Sequence, residues 1–181
     1  KTDLNELINS RMAGMDVCVC ANLPYYITSP VIMCLLESRL PLKSITVMVQ
    51  KEAADRLCAD VGSRNAGVVT AAVNYYATVE KLFPVSKGSF VPSPKVDSSV
   101  IRLVIRDKPP VCVDDETKFF RLVRAAFGQR RKTAANSISA GLSIPKNEVE
   151  KALSAAGFDL NIRAESFTLE DFSALYNNLN F

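Results

Sequence analysis

The hydrophobic period changes once along this chain of 181 residues, at residues 107–110 with the sequence Asp-Lys-Pro-Pro. Ahead of that point, apolar β-branched segments alternate with segments of helical period, whereas every periodic segment beyond it is helical. Two consecutive prolines continue neither a helix nor a central strand, so they predict a domain boundary. We therefore expect an α/β domain over residues 1–107 and a small all-helical domain over residues 108–181.

Local periodicity predicts the order of elements in both domains. In the first domain we expect helices at 3–12, 28–39, 51–60 and 66–76, and strands at 16–21, 44–50, 78–85 and 96–106. The segment 66–76 fits a helix or a strand by period alone, and a helix is favoured. The last two strands are expected to be antiparallel, and the apolar run 16–21 is typical of a strand covered on both faces. In the second domain we expect helices at 115–131, 146–156 and 168–179.

Histidine is absent from the sequence. Its absence excludes Ser-His-Asp and Cys-His catalysis, a histidine general base and histidine-ligated zinc. The cysteines have no CxxC spacing, so we expect reduced, buried core thiols and no metal site; they are Cys18, Cys20, Cys34, Cys58 and Cys112. The sequence thus favours chemistry that needs neither a metal nor a strong base.

Targeting signals are not evident in the sequence. No apolar run approaches the roughly 18 residues of a membrane span, and the first residues lack the charged and apolar regions of an export signal. We therefore expect a cytoplasmic protein with no membrane partner. The sequence contains no sustained heptad pattern of the kind that indicates an obligate dimer, so a monomer is expected. The chain begins with Lys1 and not with Met, which indicates that it was cut from a longer one.

The most informative local signal is the tetrapeptide Asn22-Leu23-Pro24-Tyr25 at the carboxyl end of the first predicted strand. Open α/β sheets bind their ligands at that end. An exocyclic amine on an aromatic base needs acceptors that aim its nitrogen, and a carboxamide oxygen and a proline-fixed carbonyl supply them. A neighbouring aromatic ring can stack on a base removed from its helix. The alternative is structural, with Pro24 ending the strand and two tyrosines, Tyr25 and Tyr26, capping a core.

A second segment, residues 89–98, contains Pro92 and Pro94, which stiffen the loop and favour an extended backbone. Phe90 precedes these prolines, and we expect it to be presented to a ligand as a stacking platform. The alternative is a hairpin loop whose phenylalanine folds back onto the sheet.

A third signal is a basic region in the helical domain. Between Thr117 and Asn147 there are seven basic residues and no acidic one. On an ideal helix, five of the seven fall within an arc of about 140° opposite an apolar side; they are Lys118, Arg121, Arg124, Arg131 and Lys132. Arg130 departs from this arc, and Gly128 is a point at which the regular helix can end. A basic face without acids is typical of phosphate binding, and the alternative is a merely solvated face.

Taken together, these segments resemble the family of ribosomal RNA adenine dimethyltransferases. Asn22-Leu23-Pro24-Tyr25-Tyr26-Ile27-Thr28, followed by Pro30, is similar to the family's target-amine motif, and residues 90–98 are similar to its second signature. Residues 127–133, with the sequence Phe-Gly-Gln-Arg-Arg-Lys-Thr, point to the bacterial small-subunit type rather than to the large-subunit resistance enzymes. Ser93 stands where family members commonly have a third proline.

The resemblance implies a Rossmann-like enzyme that uses S-adenosylmethionine to dimethylate two adjacent adenosines near the 3′ end of small-subunit ribosomal RNA. Asn22 and the carbonyl of Pro24 would hold the adenine 6-amino group. Tyr25 and Phe90 would sandwich the base, while Asn22 and Leu23 would lie beside the cofactor. The partner would be ribosomal RNA in the small subunit or its precursor, bound by basic residues; they are Lys118, Arg121, Arg124, Arg130, Arg131 and Lys132.

The family's Gly-rich loop and its acidic cofactor-binding residues have no counterpart here, since no G-x-G occurs among the seven glycines. The resemblance therefore covers the C-terminal portion of the methyltransferase domain and the helical domain. We expect the chain alone not to bind S-adenosylmethionine usefully. Two alternatives stay open, namely a non-enzymatic module that docks on a small-subunit assembly intermediate and a large-subunit ribosomal RNA adenine methyltransferase.

Overall fold

A computed structural model describes residues 3–181 of the chain. The helices and strands are α1 (Leu4–Arg11), β1 (Cys18–Asn22), α2 (Thr28–Glu37), β2 (Ser44–Gln50), α3 (Lys51–Leu57), α4 (Val68–Tyr76), β3 (Ala77–Val85), β4 (Ser98–Ile105), α5 (Glu116–Phe127), α6 (Ala134–Leu142), α7 (Lys146–Ala155) and α8 (Leu169–Asn178). Single turns of 3-10 helix occur at Tyr25–Ile27, Lys87–Ser89 and Ala164–Ser166.

The described residues form two compact units. We call residues 3–58 and 76–108 the sheet unit, and residues 59–75 and 109–181 the helical unit. The change of unit after Lys108 lies one residue from the predicted boundary, but residues 59–75 group with the helical unit although they precede that boundary. The division of the chain into two functional domains remains a prediction.

The sheet unit is built on a mixed sheet with the strand order β1-β2-β4-β3. β1 and β2 are parallel, whereas β4 is antiparallel to both β2 and β3, which confirms the predicted antiparallel pair. α3 contacts β2, β3 and β4. The core side chains of the two interior strands are at most 1% exposed; they are Ile45, Val47, Val49, Ile101 and Leu103. The predicted α/β class is confirmed, and the segment favoured as a helix forms α4.

Two expectations about the first strand are wrong. β1 is an edge strand of the sheet formed by the described residues, and Cys18, Cys20 and Asn22 lie on an exposed face of it. The cysteines are consequently not core thiols: four are exposed, and only Cys58 is half-buried. Burial raises the pKa of the Cys58 thiol. An apolar sequence alone therefore did not determine burial, because a strand is covered only where neighbouring elements lie against it.

The helical unit closes around aromatic side chains. Phe119 and Phe120 of α5 lie with ring centroids 5.6 and 5.2 Å from that of Tyr75, and Phe119 also contacts Tyr176 of α8. Phe172 of α8 contacts two further phenylalanines. The Tyr176 hydroxyl donates a hydrogen bond to the carboxylate of Asp114, which raises the pKa of Tyr176 to about 12. Each of these rings thus has an aromatic partner, and the Tyr176 phenol also has a carboxylate acceptor.

The sequence did not predict α6, because its nine residues include serine, asparagine and glycine, which are weak helix formers. Packing compensates for this weak propensity. Ala134, Ile138 and Leu142 are buried, and the Thr133 hydroxyl caps the first turn by accepting from the backbone of Asn136. Gly141 allows a close approach to α5, since a Cβ there would lie 2.6 Å from the Cβ of Ala125.

The three other helical predictions in this region are confirmed, with a shorter α5 than expected. The capping box at Thr168 is present, because its hydroxyl accepts from the backbone of Asp171 while the Asp171 carboxylate accepts from the backbone of Thr168. Within residues 3–181, no helix combines the length and apolarity needed to cross a membrane.

Candidate target-base pocket

A pocket of about 320 Å³ lies in the sheet unit, where the two motifs singled out in the sequence meet. One wall comes from the chain that follows β1, and another comes from the loop that precedes β4. Its lining residues are Asn22, Leu23, Pro24, Tyr25, Met48, Phe90, Pro92 and Pro94. All five residues predicted for the target base and the cofactor edge are thus brought together; they are Asn22, Leu23, Pro24, Tyr25 and Phe90.

Asn22 reaches this pocket because it is the last residue of β1. β1 and β2 run parallel, so their carboxyl ends lie at one edge of the sheet, and Asn22 pairs in register with Met48. Asn22 is exposed, so its carboxamide is accessible to a ligand that enters the pocket. The carboxamide oxygen is an acceptor, as a hydrogen bond from an amino group requires.

Pro24 turns the chain from the strand into the single 3-10 turn Tyr25–Ile27. Its carbonyl accepts a hydrogen bond from the Ile27 backbone at 3.1 Å and a longer one from the Thr28 hydroxyl at 3.4 Å. The carbonyl is therefore fixed in direction before any ligand binds. The N-cap of α2 is Ile27, and the buried Thr28 hydroxyl donates to the Pro24 carbonyl instead of capping the helix.

Tyr25 and Tyr26 differ sharply in environment, although they are adjacent. Tyr25 is half-buried, and its phenol oxygen lies 2.7 Å from the hydroxyl oxygen of Ser98, within hydrogen-bond distance. Tyr26 is 85% exposed. The interpretation that both tyrosines cap a core is therefore wrong for Tyr26, whereas Tyr25 contributes to a pocket wall.

The loop that carries Phe90 is held closed by its own hydrogen bonds. The Asp97 carboxylate accepts from the Lys87 backbone at 2.9 Å, and the Ser93 hydroxyl donates to the Lys87 carbonyl at 2.9 Å. Phe90 is half-buried, has an extended backbone and lines the pocket. The proline that the family resemblance leads us to expect at this position has no hydroxyl and could not make this bond.

Sequence reasoning missed two residues of this region, Met48 and Ser98. Met48 lines the pocket from β2, and the signal that identifies it is its parallel register with Asn22. Ser98 lies at the end of the second motif, fully buried, and contacts Tyr25 rather than the pocket itself. Met48 depends on strand pairing and Ser98 on a side-chain contact, each between segments far apart in the sequence, and local patterns do not report such pairs.

The pocket alone does not fit a whole molecule of S-adenosylmethionine. That cofactor presents ribose hydroxyls, an adenine and an amino-acid group, each of which needs polar partners. Among the eight lining residues, only Asn22 and Tyr25 have polar side chains, and the Tyr25 hydroxyl already contacts Ser98. No group of three or more potential metal ligands occurs among residues 3–181.

The basic residues occupy a separate region, in the helical unit. Lys118, Arg121 and Arg124 are exposed on α5, opposite its buried apolar side, as predicted. The expectation that Arg131 and Lys132 continue this helix face is wrong, because α5 ends at Phe127. Both remain exposed in the turn that follows.

Arg130 has protein partners of its own. Its guanidinium donates to the carbonyl of Arg64 at 3.0 Å and lies 3.9 Å from the Glu165 carboxylate. Arg121 and Arg124 border a groove of about 400 Å³ whose other residues come from the end of α5, the turn that follows it and α6. Two arginines on one groove form a surface suited to an anionic ligand.

Comparison with known proteins identifies the family to which the chain is similar. Residues 1–180 match the family described as "Ribosomal RNA adenine dimethylase". The chain is 47% identical over 180 residues to "Ribosomal RNA small subunit methyltransferase A" of Alkaliphilus oremlandii and 45% identical to the protein of the same name from a Geobacillus species. Each alignment covers 99% of this chain and 63% of the relative, so the chain spans less than two thirds of their length.

Solved structures show the same fold. A dimethyladenosine transferase from Plasmodium falciparum superposes with a TM-score of 0.70 at 26% identity, covering 89% of this chain and 65% of that one. The 23S rRNA methyltransferase ErmE superposes with a TM-score of 0.63 at 22% identity, covering 97% of this chain and 78% of that one. The second likeness shows the fold alone.

Proposed function

The chain belongs to the ribosomal RNA adenine dimethylase family, and we propose that it supplies the target-adenine half of an S-adenosylmethionine-dependent enzyme. The reaction is dimethylation of the 6-amino groups of two adjacent adenosines near the 3′ end of small-subunit (16S) ribosomal RNA, during biogenesis of that subunit. The observation that carries the proposal is the pocket in which Asn22, Pro24, Tyr25 and Phe90 meet.

The pocket residues hold the adenine in distinct ways. The Asn22 oxygen and the Pro24 carbonyl accept hydrogen bonds from the 6-amino group and aim its nitrogen lone pair. Tyr25 and Phe90 stack on the two faces of a base removed from its helix. S-adenosylmethionine supplies the methyl group when it is bound. Because the pocket holds the amine with fixed acceptors, the reaction requires no histidine, and the sequence has none.

The basic residues of the helical unit bind the phosphates of ribosomal RNA in the small subunit or its precursor. Exposed arginines and lysines with few acidic neighbours attract a polyanion and position it without reading its sequence. The residues in this proposal are Lys118, Arg121, Arg124, Arg130, Arg131 and Lys132. RNA binding by Arg130 must compete with the contacts that its guanidinium makes to the Arg64 carbonyl and the Glu165 carboxylate.

Asn22 and Leu23 form the edge of the cofactor site, and a longer polypeptide provides the rest of it. The chain spans 63% of its relatives, and its target pocket has too few polar groups for the whole cofactor. The enzyme acts as a cytoplasmic monomer on the small subunit rather than the large one. The identity of 45–47% to proteins named for the small subunit supports that choice.

The test is a methyl-transfer assay on undermethylated small ribosomal subunits, with dimethyladenosine measured by mass spectrometry. It compares the chain with a version extended to the length of its relatives, and with Asn22→Ala and Asn147→Ala in that version. Asn147 is exposed on α7 and serves as the matched control. We expect activity from the extended protein only, a loss of about 100-fold or more for Asn22→Ala, and no loss for the control.

Two results contradict the proposal in different ways. If Asn22→Ala methylates at nearly the rate of the unsubstituted protein, the assignment of Asn22 is wrong. If the extended protein binds the subunit but transfers no methyl group, the non-enzymatic docking module becomes the better explanation.

A further inference from the structure

Ser98 is the first residue of β4 and follows directly on the loop that carries Phe90. Its side chain is fully buried and does not line the pocket, yet its hydroxyl oxygen lies 2.7 Å from the Tyr25 phenol oxygen. We infer that Ser98 is a positioning residue that holds the ring of Tyr25 in place as a wall of the target-base pocket. This inference rests on the proposed function.

The backbone beside Ser98 is anchored on several sides. In the sheet, Ser98 pairs in register with Gln50 of β2 and Val85 of β3. The preceding residue, Asp97, accepts from the Lys51 backbone through its carbonyl at 3.0 Å, and its carboxylate accepts from the Lys87 backbone. A hydroxyl mounted on so constrained a backbone has a fixed position, and a ring bonded to it is fixed as well.

Tyr25 needs such an anchor because its own backbone is a single 3-10 turn at the edge of the sheet. Rotation of the side chain about its first two bonds would swing the ring away from a stacked base. A bond at the far end of the ring, at the phenol oxygen, selects one orientation. The bond also joins the two motifs of the pocket, since Tyr25 belongs to the first and Ser98 ends the second.

Adjacent Ser99 provides a matched control. It is 6% exposed, lies in the same strand, and points to the opposite face of the sheet, because successive strand residues alternate. Ser99→Ala therefore removes a buried hydroxyl from β4 without touching Tyr25. Any general sensitivity of the strand to alanine appears in both variants.

The experiment is a double-mutant cycle in the extended protein, with Ser98→Ala, Tyr25→Phe and the double variant. We measure kcat/KM for methylation and the fluorescence of an RNA with 2-aminopurine at the target position, which is quenched when the base stacks. Each single variant is expected to lower kcat/KM by about 3- to 10-fold and to weaken the quenching, as for the loss of one hydrogen bond. The double variant is expected to lose no more than either single variant.

The inference is wrong if Ser98→Ala costs the same factor in the Tyr25→Phe background as in the unsubstituted protein, since the effect would then not pass through Tyr25. It is also wrong if Ser99→Ala matches Ser98→Ala in kcat/KM. Tyr25→Phe probes the same bond without altering the buried strand, so misfolding of Ser98→Ala does not hide the answer. Failure of the proposed function looks different, because the unsubstituted extended protein would then be inactive.

Discussion

The two units of the molecule differ in how many large apolar side chains they expose. Of the nine exposed large hydrophobic residues among those described, eight lie in the sheet unit and one, Leu160, lies in the helical unit. In the helical unit, the aromatic rings pack against one another. The sheet unit leaves Tyr26 at 85% and Val91 at 100% exposure, each adjacent in sequence to a residue of the pocket.

This contrast indicates where each unit places its stability, and it bears on where we propose that each unit meets other molecules. Exposed apolar groups that cluster near a pocket are typical of a binding surface, whereas a closed aromatic core is typical of a scaffold. In the helical unit, the surface groups proposed to bind a partner are charged; three of them project from α5, and the other three follow its end. Substitutions in the helical core should therefore change the free energy of unfolding, while similar substitutions at the sheet surface should not.

The largest effect is expected for Phe119→Ala. This ring is completely buried and contacts three other aromatic rings, so its removal should cost about 3–5 kcal/mol of unfolding free energy. Phe83→Ala in the sheet unit is the matched control, since Phe83 is 54% exposed, and it should change stability by no more than about 0.5 kcal/mol. Denaturant unfolding measures both. Equal costs would show that the contrast between the units is not one of packing.

A smaller loss of unfolding free energy is expected for Gly141→Ala. The added Cβ would lie 2.6 Å from the Cβ and 2.8 Å from the Cα of Ala125, so α5 and α6 must separate. Overpacking of this kind costs about 1–3 kcal/mol. Gly67→Ala is the control, because a Cβ there meets nothing within 4 Å and its backbone needs no left-handed conformation. A thermal midpoint for Gly141→Ala as high as that of the control would mean that the helices do not pack this closely.

The smallest expected effect is a difference in how fast the cysteines are alkylated, and it leaves stability unchanged. Iodoacetamide should modify the four exposed thiols first and Cys58 last, because Cys58 is half-buried and burial raises its pKa. The thiolate is the reacting form, so the rate at Cys58 should keep rising as the pH increases from about 7 to 10. Mass spectrometry of timed samples gives the order. Slow modification of Cys18 and Cys20 would show that the β1 face is covered in solution.

The fold and the pocket could be predicted from the sequence to different extents. β2 was predicted at its observed bounds, because β-branched residues in an apolar run identify an interior strand. The meeting of Asn22 with Phe90 was expected from the family resemblance, which assigns both motifs to one adenine site. The exposure of β1 did not follow, because burial depends on which strands and helices lie beside it.

Other failures had local causes. α6 escaped prediction because tertiary packing around Gly141 outweighs its weak helix propensity. The basic helix face was predicted to extend too far along the chain, because α5 ends before Gly128 and the chain turns before Arg131. Ser98 was overlooked because its contact joins residues 73 positions apart, and no local pattern reports such a pair.

The position of β1 has a practical consequence for anyone who prepares this polypeptide. Within residues 3–181, β1 has β2 on one side and no strand on the other. Its free backbone amides and carbonyls form a template on which the extended backbone of a second molecule can align. Preparations of the chain should thus self-associate as concentration rises, and light scattering would follow that process even while every molecule in the sample stays folded.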